Sequence, residues 1–178
     1  MRKYGFSLCI CLIISQVIAA AEYRSLKGGF QALFPGEVEE VIVDPYTSAW
    51  TSFEFIEEIF VMHQVAVLKE RPSGPLQYDS HEEYRAFFTQ YLKELTQGYS
   101  EPRIISSEYM LWKNKYPAIK YTFQGVMVGY DIEVINEGLA LLYNRKLIKS
   151  AVIFPTILKD DNRLVSLVKG FHNSLIVF

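Results

Sequence analysis

Apolar residues along this chain alternate, cluster or recur at helical spacing, and each pattern predicts an element. Gly29 to Phe34 reads as a short strand stopped by Pro35-Gly36. Val38 to Val43 reads as a second strand, with Val41 and Val43 in alternation and Pro45 ending it. From Trp50 to Lys69 β-branched and aromatic residues dominate, which suits a pleated surface. Phe53 and Phe55 alternate with Ser52 and Glu54, and the phase breaks at Glu57-Glu58, which predicts a hairpin turn or a bulge there. Beyond the break, Ile59, Val61, Val65 and Val67 face one way and Phe60, Met62, Ala66 and Leu68 the other. Two apolar faces predict a strand covered on both sides.

Ser80 to Gln97 has helical spacing. Ser80 and Glu83 form an S-x-x-E capping box, and Tyr84, Phe87, Phe88, Tyr91, Leu92 and Leu95 follow as one apolar stripe. Gly98 suits the C′ position. A meander is predicted next. Ile104 to Trp112 is a strand turned at Asn114-Lys115, and Ile119, Tyr121 and Phe123 alternate in its partner. Gly125 and Gly129 flank another turn, Ile132 and Val134 alternate after it, and Asn136-Glu137-Gly138 and Asn144-Arg145 read as further turns. Lys146 to Phe154 closes the sheet before Pro155. A last helix starts near Asp160 or Asp161 and runs to about Ser174, with Leu164, Val168, Phe171 and Leu175 as its buried stripe. Strands, helix, strands, helix in that order predict an α+β sandwich: an antiparallel sheet of about six to eight strands packed with helices. Arg71-Pro72-Ser73-Gly74-Pro75 is the longest turn-rich stretch and reads as a loop inside one domain.

Composition sharpens this picture. Half of the 178 residues are apolar and 21% are charged, which excludes a disordered chain. A net charge of −2 offers no basic excess to release counterions from phosphates, which argues against a nucleic-acid partner. The first 21 residues have another character. Arg2 and Lys3 precede a mostly apolar run from Phe6 to Ile18, and Ala19-Ala20-Ala21 supplies the small residues of a cleavage site. That is the pattern of a secretory signal peptide, and it predicts cleavage after Ala21, with Ala20 as the alternative. The expected organisation is a signal peptide over 1–21 and a single domain over 22–178. The expected location is periplasmic or extracellular, with no membrane span after cleavage. Both cysteines, Cys9 and Cys11, lie in the segment removed, so the mature chain has no disulfide, thiolate nucleophile or cysteine metal site.

Candidate chemistry is sparse. Ser166-Leu167-Val168-Lys169 matches the S-x-x-K nucleophile motif, but the partner motifs S-D-N and K-T-G are missing. His63, His81 and His172 lack the spacing of a zinc site, and His81-Glu82-Glu83 reads as the polar first turn of the capped helix. Glu37, Glu39, Glu40 and Asp44, with Glu54, Glu57 and Glu58, read as solvated faces; a hard-cation edge would need a loop motif that is not present. No catalytic residue, metal ligand or cofactor is assigned. Aromatic residues are the most distinctive feature: Trp50, Trp112, Tyr116 and Tyr130 sit near strand ends or turns, where a partly covered ring suits a partner surface or an apolar ligand groove.

The segment Gly29-Phe30-x-x-x-Phe34-Pro35-Gly36-Glu37-Val38 in an exported chain resembles the PsbP-like family. Tyr116-Pro117-Ala118, the hairpin Tyr143-Asn144-Arg145-Lys146-Leu147 and the ending Phe171-x-x-Ser174-Leu175 carry the resemblance along most of the mature chain. The chain departs from the family's glycine-asparagine-arginine-leucine-tyrosine hairpin at Tyr143 and Ile148, and Leu175 stands for the closing aromatic. The family includes a thylakoid-lumen photosystem II subunit, with the Ran-binding import factor Mog and bacterial DcrB-like envelope proteins as wider relatives. These motifs mark turns and core packing, and the family shares no enzyme activity. The resemblance implies the α/β sandwich and a non-enzymatic exported protein, an accessory or protein-interaction module of the envelope. The alternative is a carrier of an apolar small ligand or lipid, and the third reading is a small hydrolase using Ser166 and Lys169.

Overall fold

The computed structural model describes residues 20–69, 76 and 78–178. The apolar run to Ile18, with Cys9 and Cys11, and the Arg71–Pro75 loop lie outside the described residues. In chain order the elements begin with β1 (Ala21–Ser25), β2 (Phe30–Phe34), β3 (Glu39–Asp44), β4 (Thr47–Ile56) and β5 (Ile59–Leu68). Helix α1 (His81–Thr96) precedes β6 (Tyr99–Trp112), β7 (Tyr116–Met127), β8 (Ile132–Tyr143) and β9 (Lys146–Pro155). Helix α2 (Asn162–Ser174) and β10 (Ile176–Val177) end the chain. Seven strands form one antiparallel sheet in the order β3-β4-β5-β9-β8-β7-β6, and β1-β2-β10 form a small second sheet.

Alternation along each strand gives the large sheet two apolar faces, and each face is covered. On one, Trp50, Val65, Leu139, Ile148 and Val152 pack against Leu164, Val168, Phe171 and Leu175 of α2 and against Phe30 and Phe34 of β2. On the other, Ile119, Tyr121, Phe123 and Leu142 pack against Phe88 and Leu92 of α1. The result is the expected α+β sandwich. The capping box forms as predicted: the Glu83 N–H donates to Ser80 Oγ at 3.2 Å, and the Ser80 N–H donates to Glu83 Oε2 at 3.2 Å. Asp161 caps α2 by accepting from the Arg163 N–H at 2.8 Å.

Several elements differ from the sequence reading. The phase break at Glu57-Glu58 is a two-residue hairpin turn with φ of 51° and 68°, a left-handed pair whose twist matches the flanking strands. The first meander turn centres on Lys113-Asn114, one residue earlier than expected, with φ of 51° and 57°. Asn136-Glu137-Gly138 is not a turn; it lies inside β8. Gly138 is needed there because a Cβ would sit 2.1 Å from Cζ of Tyr121, whose ring crosses the backbone at that point. Gly125 likewise lies inside β7, while Gly129, with φ of 88°, does occupy the turn. Strand β6 starts at Tyr99 rather than Ile104, because a register shift between Ser100 and Arg103 absorbs Pro102. Strand β1 begins at Ala21, the residue read as the last of the signal peptide, and pairs Ala21 with Phe34. Most consequentially, β9 does not close the sheet at an edge. It sits at the centre and joins the β4–β5 hairpin to the β6–β7–β8 meander.

Candidate functional site

Covering the sheet with α2 leaves a groove of about 380 Å³ where the helix passes over β6, β7 and β8. Its apolar walls are Met110 and Trp112 of β6, Leu139 of β8, and Val165 and Val168 of α2. Lys120 of β7, Glu137 of β8, and Lys169 and His172 of α2 supply the polar groups. Val165, Val168, Lys169 and His172 follow at i, i+3, i+4 and i+7, which aligns them beside the buried stripe of the same helix. That spacing was available in the sequence. The facing residues were not, because Lys120 and Glu137 meet α2 only through sheet register: Lys120 lies opposite Leu139, and Thr122 opposite Glu137.

His172 anchors the inner end. Its Nδ1 lies 2.6 Å from the buried Ser150 Oγ, and among the described residues its Nε2 has no hydrogen-bond partner. Burial lowers its pKa to about 4, and the charges of Lys120 and His63 push the same way, so the ring is neutral near pH 7. Half-burial raises the Glu137 carboxyl pKa, and Lys120 partly offsets this. Deeper under α2, His63 Nε2 lies 2.7 Å from Glu54 Oε1, while among the described residues its Nδ1 and the neighbouring Ser52 hydroxyl have no partner. The Phe171 ring stands edge-on to His63, with 4.9 Å between centroids.

The four aromatic residues singled out in the sequence do not form one surface. Trp50 is 1% exposed and lies in the core, its ring centroid 4.9 Å from that of Phe30, so it can meet no partner. Its position near a strand end misled because β1-β2-β10 covers that end. Trp112 is buried as a wall of the groove, with the Lys113 ammonium 4.2 Å above its ring. Tyr116 is half-buried between Trp112 and Tyr143. Tyr130 is 69% exposed in the β7–β8 turn, away from the other three. Trp112 and Tyr116 are thus brought together, and Trp50 and Tyr130 are not.

Ser166 and Lys169 are both exposed on α2, and no hydrogen bond joins them among the described residues. Ser166 borders a separate cavity of about 130 Å³ beside His63 and Leu33, whereas Lys169 faces the groove. His81 is remote from the other histidines and meets the Tyr109 hydroxyl at 3.3 Å. Among the described residues no three His, Asp or Glu side chains are grouped to hold a metal ion. The acidic residues instead disperse into pairs: Glu40 with Lys27, Glu54 with His63, and Glu57 with Arg163 at 2.9 Å. Among the described residues no helix is long and apolar enough to cross a membrane.

A seven-stranded antiparallel sheet with one helix on each face and a small second sheet makes a PsbP-like α+β sandwich. The chain is similar to cyanobacterial PsbP (CyanoP) from Synechocystis, with a TM-score of 0.61 over 92% of this chain and 95% of that one, at 16% identity. It is also similar to a Pseudomonas aeruginosa protein of unknown function described as a putative regulator, with a TM-score of 0.51 over 85% and 94% of the two chains, at 6% identity. At these identities the likeness is one of fold. No protein-family model matches the chain, and no curated protein matches its sequence.

Proposed function

We propose that the protein is an exported, non-enzymatic binding module of the cell envelope that holds a small, mainly apolar ligand in the groove under α2. The observation that carries this reading is the groove itself. Its volume of about 380 Å³ lies within the roughly 300–1,000 Å³ of small-molecule sites, and its walls are apolar with a few convergent polar groups. Lys120 and Lys169, both exposed, set the polarity of the mouth, and Trp112 offers a flat wall. The experiment is titration of the mature chain with N-phenyl-1-naphthylamine, a neutral apolar fluorophore, against a Val165→Trp variant. Val165 is 59% exposed, so the larger ring fills the groove without entering the core. Saturable binding that weakens at least tenfold in the variant is expected, with an unchanged melting temperature. The reading as an accessory protein-interaction module draws instead on Phe53 and Phe55, exposed on the sheet face opposite α2. No saturable binding, or equal binding by both proteins, would favour that reading over the carrier.

A further inference from the structure

The second face of the sheet holds a different chemistry. Lys149 lies in β9 directly opposite Ala66 on β5 and Ala140 on β8. Direct partners share a face, so two alanines flank the lysine and leave space around it. Helix α1 roofs this space with Tyr91, Glu94 and Leu95, and Thr47, Leu68 and Leu147 complete a cavity of about 230 Å³. Among the described residues, the Lys149 amine has neither an ion pair nor a hydrogen bond. The Glu94 carboxylate lines the same cavity but accepts from the Gln90 amide at 2.8 Å.

We propose that Lys149 is a reactive amine, placed in this cavity to condense reversibly with the carbonyl group of a small aldehyde or ketone. An ammonium withdrawn from water and not ion-paired is destabilised relative to the free base. Burial accordingly lowers the Lys149 pKa from 10.5 to about 8. At pH 7 about one molecule in ten then carries the nucleophilic free base, against roughly one in three thousand for an ordinary lysine. The titratable groups lining the cavity with it are Tyr91 and Glu94. Burial raises the Tyr91 pKa, so its hydroxyl stays protonated at pH 7. The amine lone pair attacks the carbonyl carbon; the C–N bond forms as the C=O π pair moves to oxygen, and a proton passes from nitrogen to that oxygen to give a carbinolamine. The C–O bond then breaks as the nitrogen lone pair forms C=N, the hydroxyl and the remaining N–H proton leave together as water, and addition of water returns the amine and the carbonyl compound. No oxidant or reductant takes part.

The test uses the purified mature chain, propanal as the probe, and borohydride to reduce any imine to a stable secondary amine. Mapping by peptide mass spectrometry compares Lys149 with the exposed Lys93 and Lys159. The expected result is modification of Lys149 at least tenfold faster than of either at pH 7, with a pH midpoint near 8. Lys149→Arg keeps the charge and removes the nucleophile, so the fast phase should vanish while Lys93 and Lys159 label as before. Lys149→Met is the second variant, in case the guanidinium does not fit. A Lys149 rate or pH profile equal to that of the surface lysines, or no modification at all, overturns the proposal. So does a fast phase that survives both variants.

Discussion

His172 is neutral because it is buried, and the cost appears in the dependence of stability on pH. An unfolded chain binds a proton at this histidine near pH 6.5, whereas the folded protein resists until about pH 4. Between these values the unfolded state holds more protons, so stability falls as pH drops from 6.5 towards 4 and is full above 6.5. The contribution is on the order of 3 kcal/mol by linkage. Urea denaturation across this window should show the slope, and His172→Gln should flatten it, whatever its effect on stability at pH 7. An unchanged slope in the variant would assign the loss to other groups. Residues such as His172, Lys149 and Glu137 look ordinary in the sequence. Each acquires its character from neighbours on strands distant along the chain.

At the scale of elements, local signals were strong wherever they served local chemistry. Ser80 and Glu83 satisfy each other's backbone N–H groups within one turn, and the Asp161 carboxylate accepts from the Arg163 N–H at the start of α2, so both helix starts were legible. Both buried stripes were also legible. Phe88, 1% exposed, lies on the α1 stripe against Tyr121 and Phe123. Phe88→Ala should cost roughly 3–5 kcal/mol, read as a lower midpoint in thermal or urea denaturation. A midpoint within error of the parent would mean that α1 is not held to the sheet by this face. Strand boundaries were less legible. Asn136-Glu137-Gly138 has turn composition, yet the Tyr121 ring requires a glycine in the strand at that point, a demand set on another strand. Strand β10 is two residues long and exists only because Ile176 and Val177 meet Gln31 and Phe30 of β2.

For the whole molecule, the export reading and the fold meet at the N-terminus. Cleavage after Ala20 leaves β1 intact, and cleavage after Ala21 removes its first residue, whose partner is Phe34. Either cut would leave Glu22 to Ser25 paired with β2 and so would keep the small sheet that covers Trp50. Mass spectrometry of the exported product should show an N-terminus at Ala21 or Glu22. Recovery of intact Met1 in that fraction would refute cleavage.

The sequence by itself determined the two helices, their caps and buried faces, the tight turn at Asn144-Arg145, and the α+β class; at Glu57-Glu58 it marked the break but not whether a hairpin or a bulge follows. Each rests on residues within a few positions of one another, where backbone geometry and side-chain spacing act directly. Tertiary structure alone decided the sheet order with β9 at its centre, the burial of Trp50, the groove under α2 and the cavity around Lys149. Strand pairing is fixed by hydrogen bonds and packing between segments as far apart as Phe30 and Val177, and no local window records such partners. The pairing of Lys149 with Ala66 and Ala140, and of Thr122 with Glu137, follows from that register. Candidate chemistry therefore emerged where the folded sheet brought polar side chains under a helix, and not at a contiguous motif.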